Sequence, residues 1–134
     1  HNRDAIPAAI LQAWHDEGII QWRGYQEDIA SLYQQSHIAV LASYYREGIP
    51  KTLLEAAACG KPIITCDMPG CRIIVQDNIN GYLIPPRNAE ILADKILGLA
   101  LDADCRQQFG QASRNAVLQK FSEDHICKQT LDLY

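Results

Sequence analysis

The sequence has no excess of positive charge and no long apolar run. Its formal net charge is -4 at pH 7, so it offers no basic face that could neutralise a row of phosphates, and nucleic acid is not an expected partner. No stretch reaches the roughly 18 consecutive apolar residues of a membrane span. The first residues also lack the apolar core of a secretory signal. These absences favour a soluble, cytoplasmic protein.

Closely spaced cysteine pairs are also missing. The five cysteines are an odd number, and no two of them have the two-residue gap that zinc ribbons and redox motifs use. We therefore expect reduced thiols and no metal site.

The 134 residues, 48% of them hydrophobic, match one globular domain with a real core. The chain has no initiator methionine and begins close to a helix-like stretch. We expect it to be a piece of a longer protein.

Short apolar runs alternate with helical patterns along the first two thirds of the chain. Four runs without polar alternation predict strands buried on both faces: 19–22, 38–41, 62–66 and 81–84. Helical patterns precede, separate and follow them: 6–17, 28–36, 50–59, a short turn at 72–76, then 88–101, 103–121 and 122–134. This alternation predicts an α/β fold with a doubly wound parallel sheet and C-terminal helices.

The loop after residue 41 is the best candidate for a binding site. Ligands of open parallel sheets lie beyond the carboxyl ends of the strands. This loop leads directly into a helix that Pro50 opens and Gly60 closes. The start of that helix offers backbone N–H groups and a positive dipole end, which suit a phosphate.

Two glutamates flank the start of this helix. Glu55 lies on a helix that is otherwise leucine and alanine, and it either pairs with Lys51 or accepts hydrogen bonds from ribose hydroxyls. Glu47, three residues before the helix, is placed to meet the far end of the same ligand. Spacing alone leaves both interpretations of Glu55 open.

Residues 47–55, with the sequence EGIPKTLLE, resemble the E-x7-E signature of retaining glycosyltransferases of the large GT-B family. That family, which includes glycosyl transferases group 1, contains sucrose-phosphate synthases and bacterial mannosyltransferases. From Gly18 to the end of the chain, the surrounding segments resemble the C-terminal half of that family. The sequence of residues 43–48, SYYREG, is most similar to that of bacterial enzymes of O-antigen and capsule synthesis. Ala42 departs from the family's usual proline. The family's donor-phosphate Arg/Lys pair and its acceptor-binding half have no counterpart in these 134 residues.

The resemblance implies a role for each matching residue. Glu47 would be catalytic and hold hydroxyls of the donor sugar, and Glu55 would hold the ribose. Backbone amides of residues 48–52 would cradle the diphosphate, which places Gly48, Ile49, Lys51 and Thr52 in the site. Tyr25 and Gln26 would lie beside the nucleobase. The helix end, rather than a metal or other cofactor, would stabilise the diphosphate.

The whole chain, 1–134, is thus expected to be the nucleotide-sugar-binding half of a glycosyltransferase, Rossmann-like in fold. The donor would be a UDP- or GDP-sugar. The acceptor would be a cell-envelope glycan or a lipid-linked glycan bound through an N-terminal domain, and peripheral association with the inner face of the membrane is compatible with that role. The alternatives are a nucleotide-sugar epimerase domain and a non-catalytic, receiver-like regulatory module. The Glu47/Glu55 spacing disfavours the first, and the lack of an acidic cluster disfavours the second.

Overall fold

A computed structural model describes residues 5–46 and 48–121 of the chain. Its elements follow in the order α1 (Ala8–Asp16), α2 (Ile29–Gln35), β1 (Ala39–Leu41), α3 (Lys51–Ala58), β2 (Ile63–Cys66), α4 (Pro69–Arg72), β3 (Gly81–Ile84), α5 (Ala89–Leu101) and α6 (Ala103–Phe121). The predicted helix 122–134 lies outside the described residues.

The three strands form one parallel sheet in the order β1-β2-β3. Ala39 pairs with Ile63, and Ile63 pairs in turn with Gly81. Because all three strands run the same way, their carboxyl ends meet at one edge of the sheet. The predicted parallel α/β fold is confirmed, and that edge is where a ligand of such a sheet is expected.

Helices cover both faces of the sheet. Neighbouring residues of β2 point to opposite sides, so Ile63 belongs to one apolar cluster and Ile64 to the other, and both are fully buried. The first cluster contains residues of α3 and α4, whereas the second contains residues of α5 and Phe109 of α6. A sheet buried on both faces explains why its strands lack polar alternation.

The prediction of a strand at residues 19–22 is wrong. This segment has no strand geometry, and Ile19 is 63% exposed. A β-prone run becomes a strand only where a neighbour pairs with its N–H and C=O groups, and no strand in the part of the chain that the structure describes pairs with it. The predicted turn at 72–76 begins earlier, at Pro69, because proline fits the first position of a helix.

The carboxyl ends of three helices are held by cationic side chains from elsewhere in the chain. Lys61 donates to the carbonyl of Ser36 after α2 at 2.9 Å, and Arg114 donates to that of Ala58 at the end of α3 at 2.6 Å. Arg106 donates to the last carbonyls of α5. Each cation donates to a carbonyl at or just after the end of a helix and complements the negative end of the helix dipole.

Candidate functional site

A cleft of about 730 Å³ lies between residues 24–33 and the exposed face of α3. Five of the residues that the sequence analysis selected line this one cleft: Tyr25, Gln26, Lys51, Thr52 and Glu55. They come from two segments about 25 residues apart in the sequence. The fold therefore brings together the residues expected beside the base, the ribose and the diphosphate.

The outer wall of the cleft is a tight turn that leads into α2. Gly24 has a left-handed backbone with φ of +60°, which glycine adopts without strain. The side chain of Gln26 donates to the carbonyl of Arg23 at 2.7 Å, and the ring of Tyr25 between these two residues in the sequence is exposed. This turn presents one aromatic and one amide side chain at the end of the cleft.

Asp28 caps the helix that follows the turn. Its carboxylate accepts hydrogen bonds from the hydroxyl of Ser31 at 2.6 Å and from the backbone N–H of Ser31 at 3.0 Å. These bonds, first the hydroxyl and then the amide, lower the pKa of Asp28. The carboxylate thus fixes the start of α2.

Tyr33 joins the two walls of the cleft. Its hydroxyl donates to the carbonyl of Thr52, in the first turn of α3, at 3.0 Å. Burial raises the pKa of Tyr33, and the nearby charge of Glu55 raises it further, so the hydroxyl keeps its proton and its role as donor. Sequence reasoning missed this contact because only the helical spacing of Tyr33 is visible in the sequence.

The α3 helix turns one face to the core and the other to the cleft. Leu53, Ala56 and Ala57 are fully buried, while Glu55 lies on the cleft side. The residue before the helix is Pro50, whose side chain makes no capping hydrogen bond. Pro50 therefore leaves the first-turn N–H groups and the positive dipole end to other acceptors, such as an anion.

The Lys51–Glu55 ion pair, which was one interpretation of Glu55, is present. The Nζ of Lys51 lies 3.6 Å from Oε1 of Glu55, and the Lys51 side chain is 87% exposed. An exposed pair of this kind contributes about 0–1 kcal/mol. The ion pair is thus weak, and it leaves the carboxylate on the wall of the cleft.

Gly48 and Ile49 are two further candidates, and they directly precede Pro50 and α3. Gly48 lines a separate, narrow pocket with Ser43 and Tyr45, and Ile49 is 40% exposed. Glu47 lies outside the described residues. No group of three or more His, Cys, Asp or Glu side chains arranged to hold a metal occurs in residues 5–46 and 48–121.

Comparison with known proteins assigns the family. Residues 11–116 match the family Glycosyl transferases group 1, and the chain belongs to this family. Over 132 residues it is 33% identical to the N,N'-diacetylbacillosaminyl-diphospho-undecaprenol alpha-1,3-N-acetylgalactosaminyltransferase of Campylobacter jejuni, covering 98% of this chain and 35% of the relative. The chain thus spans about a third of the length of that relative.

Two solved structures share the fold. A mutant of S. aureus TarM in complex with Fondaparinux, alpha-GlcNAc-glycerol and UDP is 27% identical with a TM-score of 0.83, covering 96% of this chain and 27% of that one. Sucrose-phosphate synthase from Thermosynechococcus elongatus is 28% identical with a TM-score of 0.83, covering 94% and 32%. The likeness confirms the expected Rossmann-like half of a GT-B fold.

None of the described helices is long and apolar enough to cross a membrane.

Proposed function

We propose that this chain is the donor-binding domain of a retaining glycosyltransferase that transfers a hexose or N-acetylhexosamine to a cell-envelope glycan or a lipid-linked acceptor. The observation that carries the proposal is the cleft itself. It joins Tyr25 and Gln26 to Glu55 and the first turn of α3 within one volume of about 730 Å³, which is a typical size for a small-molecule site. Membership of the family supplies the class of reaction.

The chemistry of the cleft walls suits the parts of a nucleotide sugar. The aromatic ring of Tyr25 and the amide of Gln26 can stack on and hydrogen-bond a nucleobase. The carboxylate of Glu55 can accept hydrogen bonds from ribose hydroxyls. The N–H groups at the start of α3 can donate to the diphosphate, and Pro50 is excluded from this role because it has no N–H.

Glu47, Gly48 and Ile49 complete the proposed site on the sugar side. In this proposal the carboxylate of Glu47 holds hydroxyls of the donor sugar, where charge and ring distortion develop as the glycosidic bond to the diphosphate breaks. Gly48 and Ile49 offer backbone amides ahead of the helix. The leaving diphosphate is stabilised by these amides and the helix end, so we expect no metal to be required for binding.

The acceptor and the cellular location of the enzyme are proposed by analogy with relatives of this chain. The relative from C. jejuni is named for transfer onto a diphospho-undecaprenol-linked sugar, and TarM was solved with UDP and a glycan. By analogy we propose a lipid-linked or polymeric glycan acceptor, held by a second domain, at the cytoplasmic face of the membrane. Closure of the two domains would place acceptor beside donor and expel water.

The receiver-like alternative is not supported by the carboxylate at the end of β2. Asp67 bonds Arg72 at 2.6 Å, and this hydrogen bond lowers the pKa of Asp67. In the part of the chain that the structure describes, this carboxylate pairs with a cation and belongs to no group of three acidic or other metal-ligating side chains, whereas a receiver site needs an acidic cluster.

Titration of the 134-residue chain with nucleotide sugars tests the proposal. We expect UDP- or GDP-sugars to shift the NMR signals of Tyr25, Gln26, Thr52 and Glu55, with Kd near the millimolar range, because each absent charge-assisted hydrogen bond forfeits about 1.5–3 kcal/mol. Excess EDTA should leave the Kd unchanged. A chain that binds neither nucleotide sugar, or one that responds at the far side of the sheet, would overturn the proposed function.

A further inference from the structure

Arg87 has an unusual backbone for its residue type. It follows Pro85 and Pro86 at the carboxyl end of β3, and its φ is +58°. In this left-handed region the Cβ of an L-residue is crowded, so long side chains seldom adopt it. A residue persists in such a conformation only where surrounding contacts hold it there.

A contact of its side chain holds Arg87 in place. Its guanidinium carbon lies 4.4 Å from the centre of the Tyr44 ring, in a cation–π contact. The left-handed turn therefore directs the side chain across the carboxyl edge of the sheet, from the end of β3 to the loop after β1.

The contact continues into that loop. The ring of Tyr44 stacks on the ring of Tyr45, with centroids 4.9 Å apart and planes 25° apart. Arg87, Tyr44 and Tyr45 thus form a three-membered stack. Ala42, Tyr44 and Arg87 also line a cavity of about 250 Å³ with the end residues of β2 and β3.

The loop held by the stack leads to the proposed donor site. Residues 42–46 connect the end of β1 to Gly48 and the first turn of α3, which under the proposed function carry the amides for the diphosphate. A shift of these residues would displace those amides, and charge-assisted hydrogen bonds are sensitive to geometry.

We propose that Arg87 is a positioning residue: its guanidinium fixes Tyr44, and through Tyr44 it holds residues 42–46 in the conformation that binds the nucleotide sugar. This inference rests on the proposed function. A glycine at this position would be free of strain but could not reach the loop.

Two glycine substitutions distinguish a positioning role of the Arg87 side chain from the effect of relieving backbone strain. Asn78 is the other described non-glycine residue with positive φ, at +62°, and it lies before β3, away from the loop. Both Arg87→Gly and Asn78→Gly relieve a left-handed backbone. We expect both variants to keep or raise the melting temperature, while only Arg87→Gly raises the Kd for the nucleotide sugar, by about fivefold.

Amide hydrogen exchange supplies a measurement that needs no ligand. Exchange at residues 43–46 should accelerate in Arg87→Gly and stay at the parent rate in Asn78→Gly. Parent-like exchange together with a parent-like Kd in Arg87→Gly would overturn the inference. Failure of the parent chain to bind any nucleotide sugar overturns the proposed function instead, and the exchange rates still decide whether Arg87 holds the loop.

Discussion

Replacing Gly110 by alanine is expected to lower the free energy of unfolding by about 3 kcal/mol, although the substitution lies inside a helix, where alanine is normally favoured. A Cβ at this position would lie 2.2 Å from the backbone carbonyl oxygen of Gly60. Backbone atoms cannot rotate away as a side chain can. The α3 and α6 helices would have to separate, and the packing that presents α3 to the cleft would be lost.

A matched control is available in the neighbouring helix. Gly98 lies inside α5, and a Cβ there would meet no atom within 4 Å. Gly98→Ala should raise the free energy of unfolding by about 0.5–1 kcal/mol through helix propensity alone. Denaturant unfolding of both variants, monitored by circular dichroism, isolates the contact with Gly60, since the gain in propensity is common to both. Equal stabilities for the two variants would show that the close approach of α3 and α6 is absent.

Glutamine at Glu47 and at Glu55 should impair the full-length enzyme in different ways. In the proposed site Glu55 holds the ribose, which does not change during the reaction, so Glu55→Gln should raise the KM for the donor about tenfold and leave kcat nearly unchanged. In the same proposal Glu47 holds the donor sugar, where charge develops in the transition state. Glu47→Gln should therefore lower kcat by about 10²–10³-fold. Steady-state kinetics with varied donor measures both effects.

Thermal melts test the alternative that Glu55 has only a structural role. Glu55→Gln and Lys51→Met both remove the exposed ion pair, so both should change the free energy of unfolding by less than about 1 kcal/mol. If Glu55→Gln instead melts far below the parent and Glu47→Gln keeps full turnover, Glu55 is a structural residue and the donor-site assignment is wrong.

The sequence by itself determined the elements whose signals are local. The apolar run that became β2 has no polar alternation because that strand is buried on both faces. The α3 helix was delimited by Pro50 and Gly60, whose backbone preferences act within a few residues. The parallel sheet followed from the alternation of such elements, and the spacing of Glu47 and Glu55 indicated the family that the comparison then confirmed.

Only the tertiary structure decided which groups meet across the chain. Residues 19–22 have the composition of a strand, but pairing depends on a neighbour that composition does not supply. The bond from Tyr33 to Thr52 spans 19 residues, and the contact of Arg87 with Tyr44 joins the ends of two strands that are not adjacent in the sheet. Such contacts depend on backbone direction and on distances between distant segments. Residue type constrains these only weakly, so they become visible once the chain is folded.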